Sequence, residues 1–313
     1  MSNLDKNTLC ILIPTYKRNL DLINLLKSIL SFNLNANLPY IVIFDNDPKN
    51  NIKDKIHEIL GSRYTYIQNK FNIGPLENII RLLEFFSNHK KQFKKAMFVS
   101  DDDYFVKGFN KINQSEFYKN TDMCILNSIT RNEEGIKKGT SFPFLMLNTM
   151  YSKSRVIENV RVLSGCIISK ELVKKYLNII NKSVAIRSEM YPMQVWAILA
   201  NDITYDNSFC IEHIIGNQLY WGDYDHCKEF ASGRLLMYKD LEGFYPNHKI
   251  LKNVRKIFFL RMVKNREKYS CLKDIVLPSY SLSSRLTEKI SSFFSFYTSI
   301  IISKVVALYF KNK

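Results

Sequence analysis

Four short apolar runs alternate with three helical segments over the first hundred residues, and this order restricts the fold more than any other feature. The apolar runs have the length of buried strands and lie at 8–14, 40–47, 64–69 and 96–103. The segments between them lie at 19–32, 50–60 and 74–88. Strands that alternate with helices predict an α/β domain with a mostly parallel, open, Rossmann-like sheet and helices on both faces.

Polar side chains follow three of these predicted strands. They form the stretches "PTYKR" at 14–18, "DND" at 45–47 and "DDD" at 101–103. Parallel strands end at one edge of a sheet, where the ligands of such domains bind, so these clusters predict a ligand site there. The three adjacent aspartates fit either a solvated turn or a cation site, since a cation relieves their mutual repulsion. The buried strand that precedes them favours the cation site.

The sequence beyond residue 104 predicts further strands at 122–129 and 162–169, and further helices at 170–181 and 188–201. The composition changes near residue 249, where the chain becomes strongly basic. We therefore predict one domain over residues 1–245, with halves at 1–110 and 111–245. A helical region follows it over residues 246–313.

This C-terminal region joins a basic segment to an apolar one. Residues 249–273 contain nine Lys or Arg and one Glu. Residues 288–313 are largely apolar, with a narrow stripe of Ser and Thr and an internal lysine, Lys304. This pattern favours an amphipathic helix in a membrane interface over a spanning helix or a helix packed on the domain.

The net charge of +16 fits three kinds of partner, namely nucleic acid, an anionic membrane surface or a phosphorylated substrate. Basic residues are not interleaved with stacking aromatics in a recognisable nucleic-acid-binding pattern, so we expect no nucleic acid partner. The C-terminal pattern instead predicts contact with an anionic leaflet. The six cysteines are scattered without CxxC spacing and the N-terminus lacks signal-peptide features. We expect a cytoplasmic protein, peripheral on the inner face of the plasma membrane.

Four stretches together resemble the family 2 type of GT-A glycosyltransferases. They are "ILIPTYKRNLDLINLLKSI", "IVIFDNDPKN", "NKFNIGPLENI" and "MFVSDDDYF", and the agreement covers residues 8–110, with a weaker likeness to about 220. The resemblance implies a metal-dependent, inverting enzyme that moves one sugar from a nucleotide diphosphate sugar, with UDP favoured. It implies a growing surface glycan as the acceptor, such as capsule, O-antigen or lipooligosaccharide, free or lipid-linked. The alternative is a non-catalytic basic protein that binds membrane or nucleic acid.

The same resemblance implies a divalent cation, Mn²⁺ or Mg²⁺, at the three aspartates. Asp103 is its ligand, and Asp101 binds either the cation or the donor ribose. Asp102 contacts the ribose, or the cation through water. Carboxylate oxygens are the hard ligands that such cations prefer.

Donor-binding roles are implied for seven further residues, which are Pro14, Thr15, Tyr16, Arg18, Asp45, Asn72 and Gly74. The first three match a base-binding loop, in which Tyr16 stacks on the base or else fills the core. Arg18 approaches phosphate or complements the following helix. Asp45 matches a carboxylate that binds base or ribose, and Gly74 lets the backbone approach the donor.

The acceptor hydroxyl needs a carboxylate as its general base in an inverting transfer. Glu189, just before a predicted helix, is our choice for this catalytic role. A first-turn glutamate that is favoured by the helix dipole is the plainer interpretation. Asp202 and Glu212 are the rival candidates.

Overall fold

A computed structural model gives the fold of the chain. It describes residues 9–31, 39–89, 93–105, 120–131, 137–140, 154, 157, 163–188, 192–214 and 232–264. The chain divides into two compact units, Met1–Gly222 and Asp223–Lys313. The predicted domain boundary near residue 245 stays a prediction.

The first hundred residues form the alternating elements that the sequence predicts. Strands β1 to β4 span Leu9–Thr15, Tyr40–Asp45, Tyr64–Gln68 and Lys95–Phe98. Helices α1 to α3 span Asn19–Ser31, Lys53–Leu60 and Pro75–Asn88. The four strands pair in parallel in the order β3-β2-β1-β4, so their carboxyl ends share one edge of the sheet.

Antiparallel pairing extends this sheet in the second half of the unit. Strands β5 to β9 span Asp103–Phe105, Met123–Arg131, Lys137–Thr140, Cys166–Ser169 and Ile203–Ile214. Helices α4 to α6 span Lys170–Ile180, Val184–Arg187 and Pro192–Leu199. Among the described residues the strand order is β3-β2-β1-β4-β8-β6-β9-β5, with β7 on β6. The sheet is mixed, because β8 runs antiparallel to both β4 and β6 while β9 runs parallel to β6.

Strand β1 is buried on both faces, which explains its unbroken apolar sequence. Ile11 and Ile13 belong to a core cluster with helices α1 and α2. On the other face the helices contribute aromatic side chains: the Phe98 ring stacks on Trp196 of α6 at 5.1 Å, and Phe44 meets Phe85 of α3 at 5.6 Å. Helices therefore cover both faces of the sheet, as predicted.

The turn between β1 and α1 contains a strained residue. Lys17 has a φ of 57°, in the left-handed region that side chains with a Cβ rarely adopt. The helix then starts at once, since the Leu22 N–H donates to the Arg18 carbonyl at 2.9 Å. This reversal keeps Arg18 at the carboxyl edge of the sheet, beside the end of β1.

The second unit contains two described helices, α7 (Ser232–Phe244) and α8 (Lys249–Lys264). The Tyr238 and Phe258 rings meet edge to face at 5.6 Å, and the Arg234 guanidinium lies over the Phe258 ring at 5.4 Å. Arg255 forms an ion pair with Glu242. No helix in the described part of the chain is long and apolar enough to cross a bilayer. The predicted apolar helix at 288–313 lies outside the described residues.

Candidate active site

The three consecutive aspartates lie at the carboxyl edge of the sheet, between the end of β4 and the start of β5. Arg18 contacts two of them: its Nη1 is 3.0 Å from Asp101 Oδ1 and 2.7 Å from Asp102 Oδ2. The Thr15 hydroxyl donates to Asp101 Oδ2 at 2.7 Å. The predicted clusters that follow β1 and β4 therefore meet in space.

Asp101 is almost fully enclosed, with 4% of its surface exposed. Burial raises the pKa of Asp101 to about 6, although the Arg18 guanidinium and the Thr15 hydroxyl both act to lower it. Asp102 is the most accessible of the three, with 22% of its side chain exposed. One guanidinium therefore faces two carboxylates, and negative charge is in excess at this edge.

Asp103 is fully buried, and its carboxylate accepts a hydrogen bond from the Ser164 hydroxyl. Ser164 Oγ also accepts from the Ser100 N–H at 2.7 Å. The next residue, Gly165, has a φ of 83° and donates its N–H to the Phe98 carbonyl at 2.9 Å. The loop before β8 therefore holds the segment that contains the aspartates in place through the hydrogen bonds of Ser164 and Gly165. Sequence reasoning missed Ser164, which lies beside Gly165 within the predicted strand at 162–169.

Asp45 ends β2 and is completely buried. Its carboxylate accepts hydrogen bonds from the Asp47 N–H at 2.8 Å, Asn50 Nδ2 at 2.5 Å and the Tyr66 hydroxyl at 2.7 Å. Burial raises the pKa of Asp45, and these three donors oppose that effect. In the described structure Asp45 anchors the loop after β2, and its predicted contact with the donor stays a prediction.

The loop after β3 presents the predicted residues Asn72 and Gly74. Gly74 has a φ of 84° and a ψ of 159°, a region open almost only to glycine, and it precedes Pro75 at the start of α3. Asn72 is exposed, whereas Asn46, Asn69 and Asn78 behind it are buried and joined by side-chain hydrogen bonds. No role was predicted for Asn46 or Asn69.

The predicted base-binding residues lie at the end of β1. Pro14 pairs with Phe44 of β2, beyond the last β1 residue that pairs with β4, so its missing N–H interrupts no β4 pairing. Tyr16 is half-buried, and the Lys17 Nζ lies 5.1 Å from the centre of its ring. The Tyr16 ring therefore remains partly accessible at the ligand edge.

The candidates for the general base differ in position. Glu189, our choice, lies outside the described residues, between α5 and α6. Asp202 precedes β9 at the opposite edge of the sheet, where its carbonyl accepts from the Met123 N–H at 3.1 Å. The backbone of Glu212 pairs with Tyr104, one residue after Asp103.

The carboxylate oxygens of the three aspartates match a divalent cation site only in part. Carboxylate oxygens in excess over positive charge suit Mg²⁺ or Mn²⁺. Within the described residues, however, no group of three or more His, Cys, Asp or Glu side chains is arranged to hold a metal ion. A cation here would need further oxygen ligands, which substrate phosphates or water supply in many Mg²⁺ sites.

Solved structures of similar fold include complexes with nucleotide sugars. One is TarS 1–349 from S. aureus in complex with UDP-GlcNAc, at 16% identity over 82% of this chain and 73% of that chain, with a TM-score of 0.56. Another is the mannosyltransferase PcManGT from Pyrobaculum calidifontis in complex with GDP-Man and Mn²⁺, at 10% identity over 96% and 84%, also with a TM-score of 0.56. The chain has a GT-A fold.

The likeness is one of fold, not of close kinship. No protein-family model matches the sequence, and no curated protein matches it either. A longer TarS structure matches at 17% identity and a TM-score of 0.54, over 82% of this chain, and the match spans 43% of that chain.

Proposed function

We propose that the protein is a metal-dependent, inverting glycosyltransferase of the family 2 type. It transfers one sugar from a nucleotide diphosphate sugar, with UDP as the favoured nucleotide, to a growing surface glycan. The observation that carries this proposal is the contact of Thr15 and Arg18 with two of the three aspartates, Asp101 and Asp102, at the carboxyl edge of a GT-A sheet. The nucleotide-sugar complexes of the similar structures support it.

The residues at this edge have different proposed roles, which follow from the chemistry of their side chains. Tyr16, half-buried beside Pro14, stacks on the base of the donor, since aromatic rings and bases share flat apolar faces. Arg18 provides a planar guanidinium within reach of the phosphates. Asn72 and Gly74 border the same edge from the loop after β3. Burial of Asp101 limits water around the reacting groups.

A divalent cation, when bound, neutralises charge on the leaving pyrophosphate. Asp103 and Asp101 are the proposed protein ligands, with Asp102 at the ribose or joined to the cation through water. Asp102 is the most exposed of the three carboxylates, and Asp103 is held by Ser164. Glu189 is proposed to take the proton from the acceptor hydroxyl.

The C-terminal region is proposed to hold the enzyme on the inner face of the plasma membrane. Helix α8 supplies basic residues, and each one near an anionic surface contributes about 1 kcal/mol of attraction. A lipid-linked acceptor would be presented at that surface. The protein would then be cytoplasmic and peripheral.

A screen of nucleotide sugars by thermal shift, with and without Mn²⁺, tests the proposal. A ligand that binds only the folded state raises the unfolding temperature, so one donor should stabilise the chain and do so only with the metal. The selected donor is then supplied with acceptor glycans, and released nucleotide diphosphate is measured. Asp103→Ala should abolish the metal-dependent shift and the release.

Asp54→Asn is the matched control, because it removes an exposed carboxylate from α2. It should leave both signals as in the wild type. No stabilisation by any nucleotide or nucleotide sugar would contradict the proposal and favour a non-catalytic basic binding protein. Metal-dependent donor binding that survives Asp103→Ala would contradict only the assignment of the metal ligand.

A further inference from the structure

Asn46 uses all four hydrogen-bonding positions of its side chain. It lies directly after β2 and is 2% exposed. Its Nδ2 donates to Asn72 Oδ1 at 2.7 Å and to the Gly74 carbonyl at 3.1 Å. Its Oδ1 accepts from Asn69 Nδ2 at 3.1 Å and from the Ile73 N–H at 3.0 Å. A primary amide has two N–H donors and two lone pairs, so this side chain is saturated.

Backbone groups fix which way the amide of Asn46 points. The Ile73 N–H only donates and the Gly74 carbonyl only accepts, so oxygen and nitrogen of Asn46 cannot exchange places. A third backbone group fixes Asn72, because the Gly74 N–H donates to Asn72 Oδ1 at 2.9 Å. The carbonyl oxygen of Asn72 is therefore held by two donors, one from the backbone and one from Asn46.

The nitrogen of Asn72 is left for another partner. Asn72 is exposed, and its Nδ2 makes no hydrogen bond to any residue that the structure describes. Two N–H donors are thus available in the loop after β3, at the carboxyl edge where Tyr16 and Asp101 lie. Donors of this kind match the oxygen acceptors of a nucleotide, on phosphate, ribose or base.

We propose that Asn46 is a positioning residue that turns the amide of Asn72 so that its N–H groups meet the oxygens of a nucleoside diphosphate. The inference rests on the proposed function and adds to it a residue that does not touch the donor itself. Asn46→Asp tests it, because a carboxylate has no N–H for Asn72 Oδ1. That carboxylate repels the Asn72 oxygen and favours its nitrogen, while the Gly74 N–H still favours the oxygen, so the amide loses its fixed orientation.

Titration calorimetry with UDP and with GDP, in the presence of Mn²⁺, measures the effect. Asn46→Asp and Asn72→Ala should each weaken nucleotide binding about tenfold, the cost of one or two lost hydrogen bonds to a charged ligand. The double variant should bind no more weakly than the single variants, because Asn46 acts through Asn72. Equal, additive losses would overturn the proposal, as would Asn46→Asp binding like the wild type.

Asn78→Asp is the matched control. Asn78 has the same burial and also bonds to Asn69, and its Nδ2 donates to the Phe44 carbonyl at 2.9 Å. The change destabilises the same network without touching Asn72. It should lower the unfolding temperature and leave nucleotide affinity unchanged. A loss of affinity equal to that of Asn46→Asp would show that Asn46 acts only through stability, and would overturn the proposal.

A measurement on the wild type does not depend on whether Asn46→Asp folds. Side-chain amide signals of ¹⁵N-labelled asparagine are recorded, and the pair lost in Asn72→Ala identifies Asn72. UDP or GDP should shift the Asn72 pair strongly. An unchanged Asn72 pair in a chain that binds nucleotide would overturn the proposal.

Uridine and pyrophosphate serve as separate probes. A loss of affinity in Asn46→Asp for either one supports the proposal and identifies which oxygens Asn72 meets.

Nucleotide binding by the wild type and by Asn72→Ala separates this inference from the proposed function. A wild type that binds UDP or GDP and transfers sugar, with Asn72→Ala unaffected, contradicts the inference alone. A wild type that binds no nucleotide contradicts both.

Discussion

Arg18 is a positive group that contacts both Asp101 and Asp102. Its guanidinium lowers the cost of burying these carboxylates, and one cation between two anions still leaves negative charge in excess. A divalent cation bound to these aspartates, as we propose, would compete with Arg18 for the same oxygens.

We predict that Arg18→Gln increases the affinity of the protein for Mn²⁺ alone, by about tenfold, because a charge repulsion of about 1.4 kcal/mol is removed. Titration of Mn²⁺ followed by its electron paramagnetic resonance signal measures this. Arg187→Gln is the control, because it removes the same charge from an ion pair with Glu77 at 2.6 Å. Weaker Mn²⁺ binding in Arg18→Gln than in Arg187→Gln would contradict the competition.

Asp45 differs from its neighbour Asp47 in burial and in the number of donors that it satisfies. Asp45→Asn should lower the free energy of unfolding by about 1–3 kcal/mol, because an amide nitrogen then faces donors in a buried position. Asp47→Asn should change it by less than about 0.5 kcal/mol, since Asp47 accepts one exposed bond, from the Lys49 N–H at 3.1 Å. Urea unfolding followed by circular dichroism measures both. Equal losses would show that Asp45 is not the anchor of this loop.

The sequence predicted which residues reach the ligand edge, but not how their side chains pair. Thr15, Arg18 and Asp101 follow strands that are recognisable locally, so their common edge follows from parallel pairing. Arg18 reaches Asp101 and Asp102 directly after a left-handed turn at Lys17, which no propensity indicates. Ser164 lies 61 positions from Asp103, and a buried serine carries no periodic signal.

At the level of elements, a helix or strand was predicted correctly where its own segment has a recognisable apolar pattern. Strands β1 to β3 and helix α3 have continuous or periodic apolar patterns, and each formed within two residues of its predicted bounds. Strand β4 ends at Phe98, five residues before the predicted end at 103, because the chain turns at Ser100 to Asp102. The short strands β5 and β7 were missed. Their three and four residues are paired only because β9 and β6 lie beside them, which is a property of the tertiary fold.

Helix α8 begins at a histidine cap whose strength depends on pH. The His248 Nδ1 accepts from the Leu251 N–H at 3.2 Å, which requires a neutral imidazole. Burial lowers the pKa of His248 below its ordinary value of 6.5. The stabilising contribution is therefore complete above pH 6.5 and is lost as the pH falls through 6.5 towards the lowered pKa.

We predict that His248→Asn, which keeps a capping side chain that does not titrate, unfolds like the wild type at pH 7.5 and is more stable than it at pH 5.5. The difference at pH 5.5 should reach about 1 kcal/mol, the usual value of a helix cap. Thermal unfolding of both chains at the two pH values measures it. A difference that is the same at both pH values would show that His248 does not lose its cap by protonation.

At the level of the whole molecule, positive charge is unevenly distributed along the sequence. The candidate site has an excess of carboxylates, although the chain as a whole carries a net charge of +16. Along the sequence the basic residues are concentrated elsewhere, since residues 249–273 contain nine Lys or Arg and one Glu. Such segregation suits a protein that meets an anionic surface with one region and binds a cation with another.

The truncation that tests this membrane role follows from the packing of the second unit. Removal of the chain after residue 248 would delete α8, and with it the Phe258 ring that packs on Tyr238 and Arg234 of α7. Removal of residues 265–313 keeps that helix pair.

We predict that the full chain sediments with vesicles that contain anionic lipid, and that deletion of 265–313 reduces this binding at least about tenfold by removing apolar and basic residues. Binding to zwitterionic vesicles and nucleotide binding by the shortened chain are the controls. Equal sedimentation of the two chains, with nucleotide binding intact, would show that the region after α8 does not anchor the protein.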